Sequence, residues 1–244
     1  MCTVTYLPLA DGNFILTSNR DETPLRKTIP PKNYIENDVV LTYPKDAIAG
    51  GTWIGTSDKN RLVCLLNGGF ENHKKKLPYK MSRGIITKNI LSIDNALDYI
   101  KQSNFSNIEP FTLIYVDWNT CLETYELVWD GNQKYFSKLA QEPKIWSSST
   151  LYTEEIKQLR KKWFDEWLLK NNTFSQKCIL DFHKNEELGT PEISPKMKRN
   201  SVETLSITSI KKENELVEFV YIDFLKNETT KTLQKKLRKP RQRL

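Results

Sequence analysis

Residues 1–22 of the chain read MCTVTYLPLADGNFILTSNRDE, and this stretch decides the fold. Cys2–Tyr6 alternates thiol or hydroxyl side chains with apolar ones, which is typical of a β-strand. Asp11-Gly12 is a strong signal for a two-residue turn, and Asn13–Ser18 has the composition of a returning strand. The stretch therefore predicts a β-hairpin at the start of the chain.

The register of this hairpin brings a polar group back to the chain start. A two-residue turn at Asp11-Gly12 pairs Ala10 with Asn13, and the same register places Cys2 opposite Asp21. The sequence Asn19-Arg20-Asp21-Glu22 then lies beside Cys2. We expect a carboxylate and a guanidinium group in the neighbourhood of that thiol.

Cys2 follows Met1, and aminopeptidases remove an initiator methionine when the second residue is small. A chain that begins with Cys2 carries a thiol of pKa about 8.5 beside an α-amine of pKa about 8. Such a residue is a nucleophile with its own base. The alternative is that the Met-Cys start has no function, and the hairpin alone does not decide between the two interpretations.

The length of 244 residues and a hydrophobic content of 38% suit one large domain, which we place at residues 1–230. The net charge of +7 is accounted for by the seven Lys and Arg residues of 231–244, a segment without acids. We expect 231–244 to be a flexible, solvated tail, with non-specific contact to nucleic acid or an anionic membrane as the alternative. A neutral domain predicts no specific nucleic-acid partner.

Cysteine usage and hydropathy bear on location and on metals. The four cysteines share no short spacing, which argues against zinc and against a disulfide framework and favours reduced thiols in the cytoplasm. They are Cys2, Cys64, Cys121 and Cys178. No apolar run approaches the roughly 20 residues of a membrane span, and nothing resembles a signal peptide. We expect no cofactor and no metal.

The remaining pattern predicts strands at both ends of the chain and helices between them. Besides the first hairpin, the predicted strands are Gly50–Gly55, Arg61–Leu66, Phe111–Val116, Cys121–Trp129, Lys134–Ser137, Glu203–Ile210 and Leu216–Phe224. The predicted helices are Ser82–Gln102, with a break near Ile93, Thr153–Lys170 and Phe174–Asn185. This order favours an α+β fold of two packed antiparallel sheets with helices outside.

Several segments are interpreted residue by residue. Thr23–Pro44 is rich in proline and has no period, so we expect an extended loop that covers one side of the site. Ile156, Leu159, Trp163 and Trp167 are expected to form the buried face of the second helix. In the third helix Cys178 is expected to be buried and His183 to lie on the polar side. Asn67-Gly68-Gly69 is either an ordinary turn or a close approach of backbone to ligand.

Four motifs together resemble one family. They are Met1-Cys2-Thr3, Asn19-Arg20-Asp21-Glu22, Gly50-Gly51-Thr52-Trp53 and Asn67-Gly68-Gly69. This combination resembles the NRDE family, also called the transport and Golgi organisation protein 2 family, strongly across the first 100 or so residues. That family is similar to the N-terminal nucleophile hydrolases, in the branch of bile-salt hydrolases and penicillin V acylase. The resemblance implies a four-layer αββα sandwich.

The resemblance also implies roles for single residues. Cys2 matches the nucleophile, Asp21 the carboxylate that orients its amine, and Asn67 an asparagine of the oxyanion hole. Arg199 matches a late arginine that supports the nucleophile, and Arg20 lies close to the position of an arginine near the thiol. Asn19 and Arg20 are candidates for substrate binding.

One position departs from the pattern of the hydrolases. Ser148 stands where they have an asparagine, and it is carried over as a substrate-binding candidate. A hydroxyl offers one hydrogen where an amide offers two. Since a lost oxyanion donor costs about 100- to 1000-fold in rate, this serine weighs against high hydrolytic activity.

The expected function is that of a cysteine amidohydrolase or acyltransferase acting on a non-peptide amide or thioester of a small acylated molecule. The alternative is a non-catalytic lipid, acyl-CoA or haem binding or trafficking protein with the same fold, because membership of the family does not by itself imply catalysis. The oligomeric state is not predicted.

Overall fold

The computed structural model describes residues 3–235, which form two antiparallel sheets. The first sheet contains β1 (Thr3–Pro8), β2 (Phe14–Glu22), β10 (Lys144–Ser147), β11 (Glu203–Glu213), β12 (Leu216–Asp223) and β13 (Glu228–Leu233). The second contains β3 (Thr28–Glu36), β4 (Val39–Asp46), β5 (Ile54–Ser57), β6 (Arg61–Asn67), β7 (Phe111–Asp117), β8 (Glu123–Trp129) and β9 (Lys134–Leu139). Their orders are β10-β1-β2-β11-β12-β13 and β3-β4-β5-β6-β7-β8-β9.

The described residues also contain four α-helices. They are α1 (Arg83–Ser92), α2 (Ala96–Gln102), α3 (Glu154–Lys170) and α4 (Gln176–His183). The predicted break near Ile93 is confirmed, because α1 ends at Ser92 and α2 begins at Ala96. No helix within residues 3–235 has the length and apolar character needed to cross a bilayer.

The alternation of side chains along β1 explains the layers. Val4 and Tyr6 point into the core between the two sheets, whereas Leu7 packs under α3 and α4 on the outer face of the first sheet. The outer face of the second sheet packs against α1 and α2. The layer order is therefore α3/α4, first sheet, second sheet, α1/α2, which confirms the predicted α+β fold and four-layer αββα sandwich.

The first hairpin forms, but its predicted register is wrong by one residue. Thr3 pairs with Asn19, where a two-residue turn would pair it with Arg20. The connection is longer than predicted because Leu9 N–H donates to Asn13 O at 2.8 Å and closes a loop around Asp11 and Gly12. Asp11 and Gly12 both adopt positive φ, as their types allow.

The predicted loop Thr23–Pro44 is wrong, since most of it forms the β3–β4 hairpin. β3 is the edge strand of its sheet, and its pairing skips Pro30 and Pro31, which have no N–H to donate. The turn is Asn37-Asp38, with both residues at positive φ. Edge position and turn chemistry thus outweigh the proline content.

Two helix faces also differ from prediction. The buried residues of α3 are Arg160 and Phe164, with Trp163 and Trp167 only partly buried against them. In α4 Cys178 is half-buried, because the helix begins at Gln176 and presents Ile179 and Phe182 inward instead.

Part of the segment that was predicted to be a flexible tail forms a strand. Lys231–Leu233 belongs to β13, in which Lys231 pairs with Val220, so these residues are not part of a flexible tail. The pairing is favoured because β12 would otherwise be an open edge of its sheet. Residues 236–244, like Met1 and Cys2, lie outside the described residues.

Candidate functional site

The first described residue, Thr3, lies between two strands that carry candidate residues. It pairs with Asn19 of β2 on one side and with Ser147 of β10 on the other. Arg20 and Asp21 follow Asn19, and Ser148 follows Ser147. Adjacent residues are about 3.8 Å apart between Cα atoms, so residue 2 is joined to a chain position that both strands flank. Cys2 itself lies outside the described residues.

Asp21 is buried and held in place by hydroxyl groups. Thr204 donates to its Oδ1 at 2.6 Å, and the Tyr152 hydroxyl donates to its Oδ2 at 3.4 Å. Thr204 lies at an irregularity of β11, where the pairing with β2 shifts between Thr204 and Ser206. The bulge turns the strand so that a threonine hydroxyl reaches the carboxylate.

Arg20 points into the space between the sheets, where it is 3% exposed. Its Nη2 lies 3.1 Å from Asp46 Oδ2, its Nη1 donates to Arg26 O at 2.9 Å, and its guanidinium stacks 4.7 Å from the centre of the Trp53 ring. Burial lowers the pKa of Arg20, while the charges of Glu22 and Asp46 act in the opposite direction.

Asp46 neutralises this buried cation. Burial alone raises the pKa of the Asp46 carboxyl, but N–H donors from Ala49 and Ile48 and the charges of Arg26 and Arg20 outweigh it, so that the pKa lies below its ordinary value. The ionised Asp46 carboxylate of β4 thus forms an ion pair with Arg20 of β2. Both residues line a cleft.

Asn67 ends β6 and faces the same cleft. No hydrogen bond within residues 3–235 engages its side-chain amide, whereas its carbonyl accepts the Ser148 hydroxyl at 2.7 Å. The hydrogen of Ser148 is therefore used to hold Asn67, and the 2.9 Å contact with Thr150 is one in which Thr150 donates. Gly68 is required next, because it has φ +86° and a Cβ there would collide with Ser149 Oγ.

Two clefts lie near the Asn67–Ser148 contact: Asn67 lines the first, and Ser149, which follows Ser148, lines the second. The first has a volume of about 550 Å³ and is lined by Arg20, Glu22, Arg26, Asp46, Ala49, Gly51, Thr52, Trp53, Leu65, Asn67, Ser82, Arg83 and Gly84. The second, of about 850 Å³, is lined by Phe70, Glu71, Asn72, Ser149, Thr150, Leu151, Tyr152, Thr153, Glu154 and Lys157.

Asn19 faces away from both clefts. Its Nδ2 donates to the carbonyls of His183 and Pro195 at 3.1 and 2.7 Å, and its Oδ1 contacts His183 Nδ1 at 2.5 Å. Asn19 is fully buried, so its amide is committed to the protein rather than to a substrate. It fixes β2 directly before the two candidate residues Arg20 and Asp21.

The prediction for His183 is wrong, because this residue is fully buried under the first sheet. Its Nδ1–H donates to Asn19 Oδ1, so the Thr5 hydroxyl is the donor to Nε2 at 2.7 Å. Burial, with the nearby charge of Arg160, lowers the pKa of His183 to about 3. The ring is neutral and serves as a polar link between α4 and β1.

This histidine makes stability depend on pH. Its pKa is below the unfolded value of about 6.5, so unfolding takes up a proton and the protein loses about 1.4 kcal/mol per pH unit as pH falls below 6.5, until the ring protonates in the folded state. We expect His183→Asn to remove this component from the unfolding free energy measured by urea titration between pH 7 and 5. His73→Asn, at the half-buried second histidine, is the control, and equal pH slopes in the two variants would contradict the assignment.

Arg199 is half-buried, and its contacts are with backbone and an aromatic ring. Its Nε donates to Glu192 O and its Nη2 to Leu151 O, both at 3.0 Å, and its guanidinium lies 5.3 Å from the centre of the Tyr152 ring. Tyr152 in turn reaches Asp21. Arg199 is thus connected to the carboxylate through this tyrosine.

Arg160 of α3 is the residue that the sequence reasoning missed. It is 1% exposed, donates to Thr3 Oγ1 and to the carbonyls of Ile193 and Ser194, and stacks 3.9 Å from the centre of the Tyr152 ring. No ion pair within residues 3–235 includes it. The spacing in the sequence could have indicated that Arg160 is buried. Arg160 stands four residues before Phe164, so both side chains lie on the same buried stripe of α3.

Comparison with solved structures identifies the fold. An N-acylethanolamine-hydrolysing acid amidase ortholog of Caenorhabditis elegans superposes with a TM-score of 0.60 over 86% of this chain and 92% of its own, at 15% identity. A variant of conjugated bile acid hydrolase from Clostridium perfringens gives a TM-score of 0.56 over 95% and 92%, at 11% identity. At these identities the likeness concerns the fold, which is that of the N-terminal nucleophile hydrolases.

Comparison with family models and with curated sequences gives two results. The model of the family described as Transport and Golgi organisation 2 matches residues 1–237. No curated protein sequence matches the chain.

Proposed function

Because this chain belongs to the Transport and Golgi organisation 2 family and has the fold of the N-terminal nucleophile hydrolases, we propose that it is a cysteine amidohydrolase or acyltransferase whose nucleophile is Cys2. The observation that carries the proposal is the position of Thr3, which the strands of Asp21 and Ser148 flank. The proposal thus rests on Thr3, which the strand that carries the buried Asp21 carboxylate and the strand that ends just before Ser148 flank.

In the proposed reaction, removal of Met1 leaves the α-amine of Cys2 free. This amine takes the thiol proton, and the sulfur attacks the carbonyl carbon of an amide or thioester. The bond from that carbon to nitrogen or sulfur breaks, and the amine returns the proton to the leaving group. Water then hydrolyses the thioester on Cys2, or an acceptor amine takes the acyl group.

The surrounding residues have separate tasks in this proposal. Asp21 accepts a hydrogen bond from the amine and orients it. The unengaged amide of Asn67 stabilises the oxyanion, and Ser148 fixes the Asn67 backbone rather than donating to the substrate. In this proposal the first cleft, which Asn67 lines, takes part of a small acylated molecule.

Covalent trapping tests the proposal. We expect incubation with a panel of acyl thioesters and β-lactams to give one stoichiometric adduct on the sulfur of Cys2. Cys121 is exposed, Cys178 is half-buried and Cys64 is fully buried, and burial raises the pKa of Cys64 to about 12, so Cys121→Ser/Cys178→Ser is the background that removes adventitious labelling. Labelling confined to Cys121 in the unmodified chain would contradict the proposal.

The charge of Arg160 is expected to support the same step. A fixed cation beside Thr3 disfavours the ammonium form of the chain-terminal amine and so keeps the base neutral. Replacement of Arg160 by Gln is expected to move the acidic limb of the pH profile of Cys2 acylation upward by about one pH unit.

Two variants separate the charge of Arg160 from its structural contacts. Arg160→Lys keeps the charge, and Thr3→Val removes the hydrogen bond only, so both should leave the limb in place whatever they do to the melting temperature. An unchanged profile in a folded Arg160→Gln protein would show that this arginine is purely structural.

Binding of acyl-CoA or haem without catalysis is the alternative use of this site. Cys2 would then be an iron ligand or have no role. A Soret shift on addition of haem that is lost in Cys2→Ala, together with no acyl adduct on the unmodified chain, would favour this alternative.

A further inference from the structure

Exposed aliphatic side chains lie on three segments that lead into the lining of the first cleft. Leu25, Ile48 and Leu77 are 85%, 75% and 78% exposed, and Met81 is 37% exposed. Leu25, Ile48 and Met81 directly precede cleft-lining residues. We call these four side chains the apolar rim.

The three segments are fixed next to one another. The Arg26–Asp46 ion pair and the hydrogen bond from Ala47 N–H to Lys27 O join the first segment to the second. The contact of Gly51 with Gly84 joins the second to the start of α1, where the third segment ends. The segments that carry Leu25, Ile48 and Met81 are therefore neighbours on the surface, and Leu77 lies on the segment of Met81.

Lysines lie on or directly before two of the segments that carry this rim. Lys27, Lys74, Lys75, Lys76 and Lys80 are exposed, and no ion pair within the described part of the chain includes any of them. The segment that carries most of them is tied down, since Lys76 N–H donates to the Tyr79 hydroxyl at 2.9 Å and Lys80 N–H to Asn107 O at 2.8 Å. Glu71 is the one acid on residues 70–82, so positive charge predominates.

We propose that this face docks on an anionic lipid bilayer, with the apolar rim in the boundary between headgroups and acyl chains and the rim lysines on the headgroups. Separate aliphatic side chains among lysines are the pattern of interfacial membrane binding. Protein–protein interfaces instead are enriched in aromatic residues and arginine and depleted in lysine, which disfavours a protein partner here. Docking in this orientation opens the first cleft toward the membrane.

Vesicle cosedimentation of the full chain tests the proposal. The variant K236Q/R238Q/K239Q/R241Q/R243Q is the starting protein, so that the basic residues of 236–244 do not contribute. We expect it to bind vesicles of phosphatidylcholine with 30 mol% phosphatidylserine at 0.1 M salt, and to bind vesicles of phosphatidylcholine alone at least tenfold more weakly, because the lysines need anionic headgroups (~10-fold per 1.4 kcal/mol).

Matched variants locate the binding surface. L25Q/I48Q and K74Q/K75Q/K76Q are each expected to weaken binding at least tenfold. L169Q/L216Q changes two equally exposed leucines elsewhere, and K170Q/K177Q/K226Q makes the same change of charge, so both should stay within twofold. Melting temperatures of all variants show that they are folded. Equal binding by rim and control variants would overturn the proposal.

Insertion of the rim into the bilayer and binding to an acidic polypeptide are measured separately. Tryptophan emission of L77W is expected to shift to the blue with phosphatidylserine vesicles and to stay constant with polyglutamate. Binding to polyglutamate without binding to vesicles would identify an acidic polypeptide partner and reject the membrane. Cys2→Ala should bind vesicles normally, so this result is independent of the proposed catalysis.

Discussion

Replacement of Cys2 by alanine is expected to abolish turnover of every substrate that the unmodified chain accepts, with a loss of about 10⁴-fold or more. Without the sulfur no acyl-enzyme forms, and the remaining residues can only bind and polarise the substrate. The measurement is product release from a panel of acylated amines and acyl thioesters. Folding should be unaffected, since Thr3 keeps its pairing with Asn19 and Ser147.

Two further variants make this test specific. Cys2→Ser keeps a hydroxyl nucleophile and the amine, so a trace of activity above that of Cys2→Ala is expected. Cys121→Ser changes the exposed thiol and should retain full activity. Undiminished turnover by a folded Cys2→Ala protein would eliminate the catalytic proposal while leaving the fold untouched.

Replacement of Asp46 by asparagine is expected to have the largest effect on stability. Arg20 is 3% exposed, and Asp46 is its carboxylate partner at 3.1 Å. Removal of the negative charge deprives the buried guanidinium of its ion-pair partner and leaves only the charge of Glu22 nearby, so we expect a cost of about 3–5 kcal/mol in the unfolding free energy. The measurement is urea unfolding at pH 7, where the ionised Asp46 contributes fully because its folded pKa is depressed.

A double variant shows whether the stranded charge is the cause. Arg20→Met in the Asp46→Asn background removes the uncompensated cation, so it should recover part of the lost stability. The exposed pair Lys161–Asp165 is the control, and Asp165→Asn should cost no more than about 1 kcal/mol. A loss of that small size in Asp46→Asn would mean that water or another group compensates Arg20.

The sequence was sufficient for the layers of this fold but not for its irregular strands. Alternation in Cys2–Tyr6 and the turn at Asp11-Gly12 identified the first hairpin. The register shifted because the length of a turn depends on hydrogen bonds such as Leu9 to Asn13, which composition does not reveal. The β3–β4 hairpin was missed because its prolines are tolerated only at a sheet edge, and edge position is a property of the whole sheet.

The candidate site, like the fold, was predicted only in part. Asp21, Arg20 and Asn67 lie in sequence motifs; Arg20 and Asn67 line the first cleft, and Asp21 accepts a hydrogen bond from Tyr152, which lines the second. The motif alone did not show that the Asn19 side chain lies between β2 and α4. It points to the opposite face of the sheet from the Arg20 side chain. Arg160 is separated from Thr3 by 157 positions, so only the packing of α3 on the first sheet reveals their contact.

The chain end itself gives the most direct test of the central claim. Tandem mass spectrometry of the N-terminal peptide from protein expressed in its native host should show a sequence that starts at Cys2 with a free amine. After reaction with an acyl thioester, the same peptide should carry the acyl mass on sulfur. A peptide that retains Met1, or a Cys2 amine blocked by a stable modification, would contradict the account.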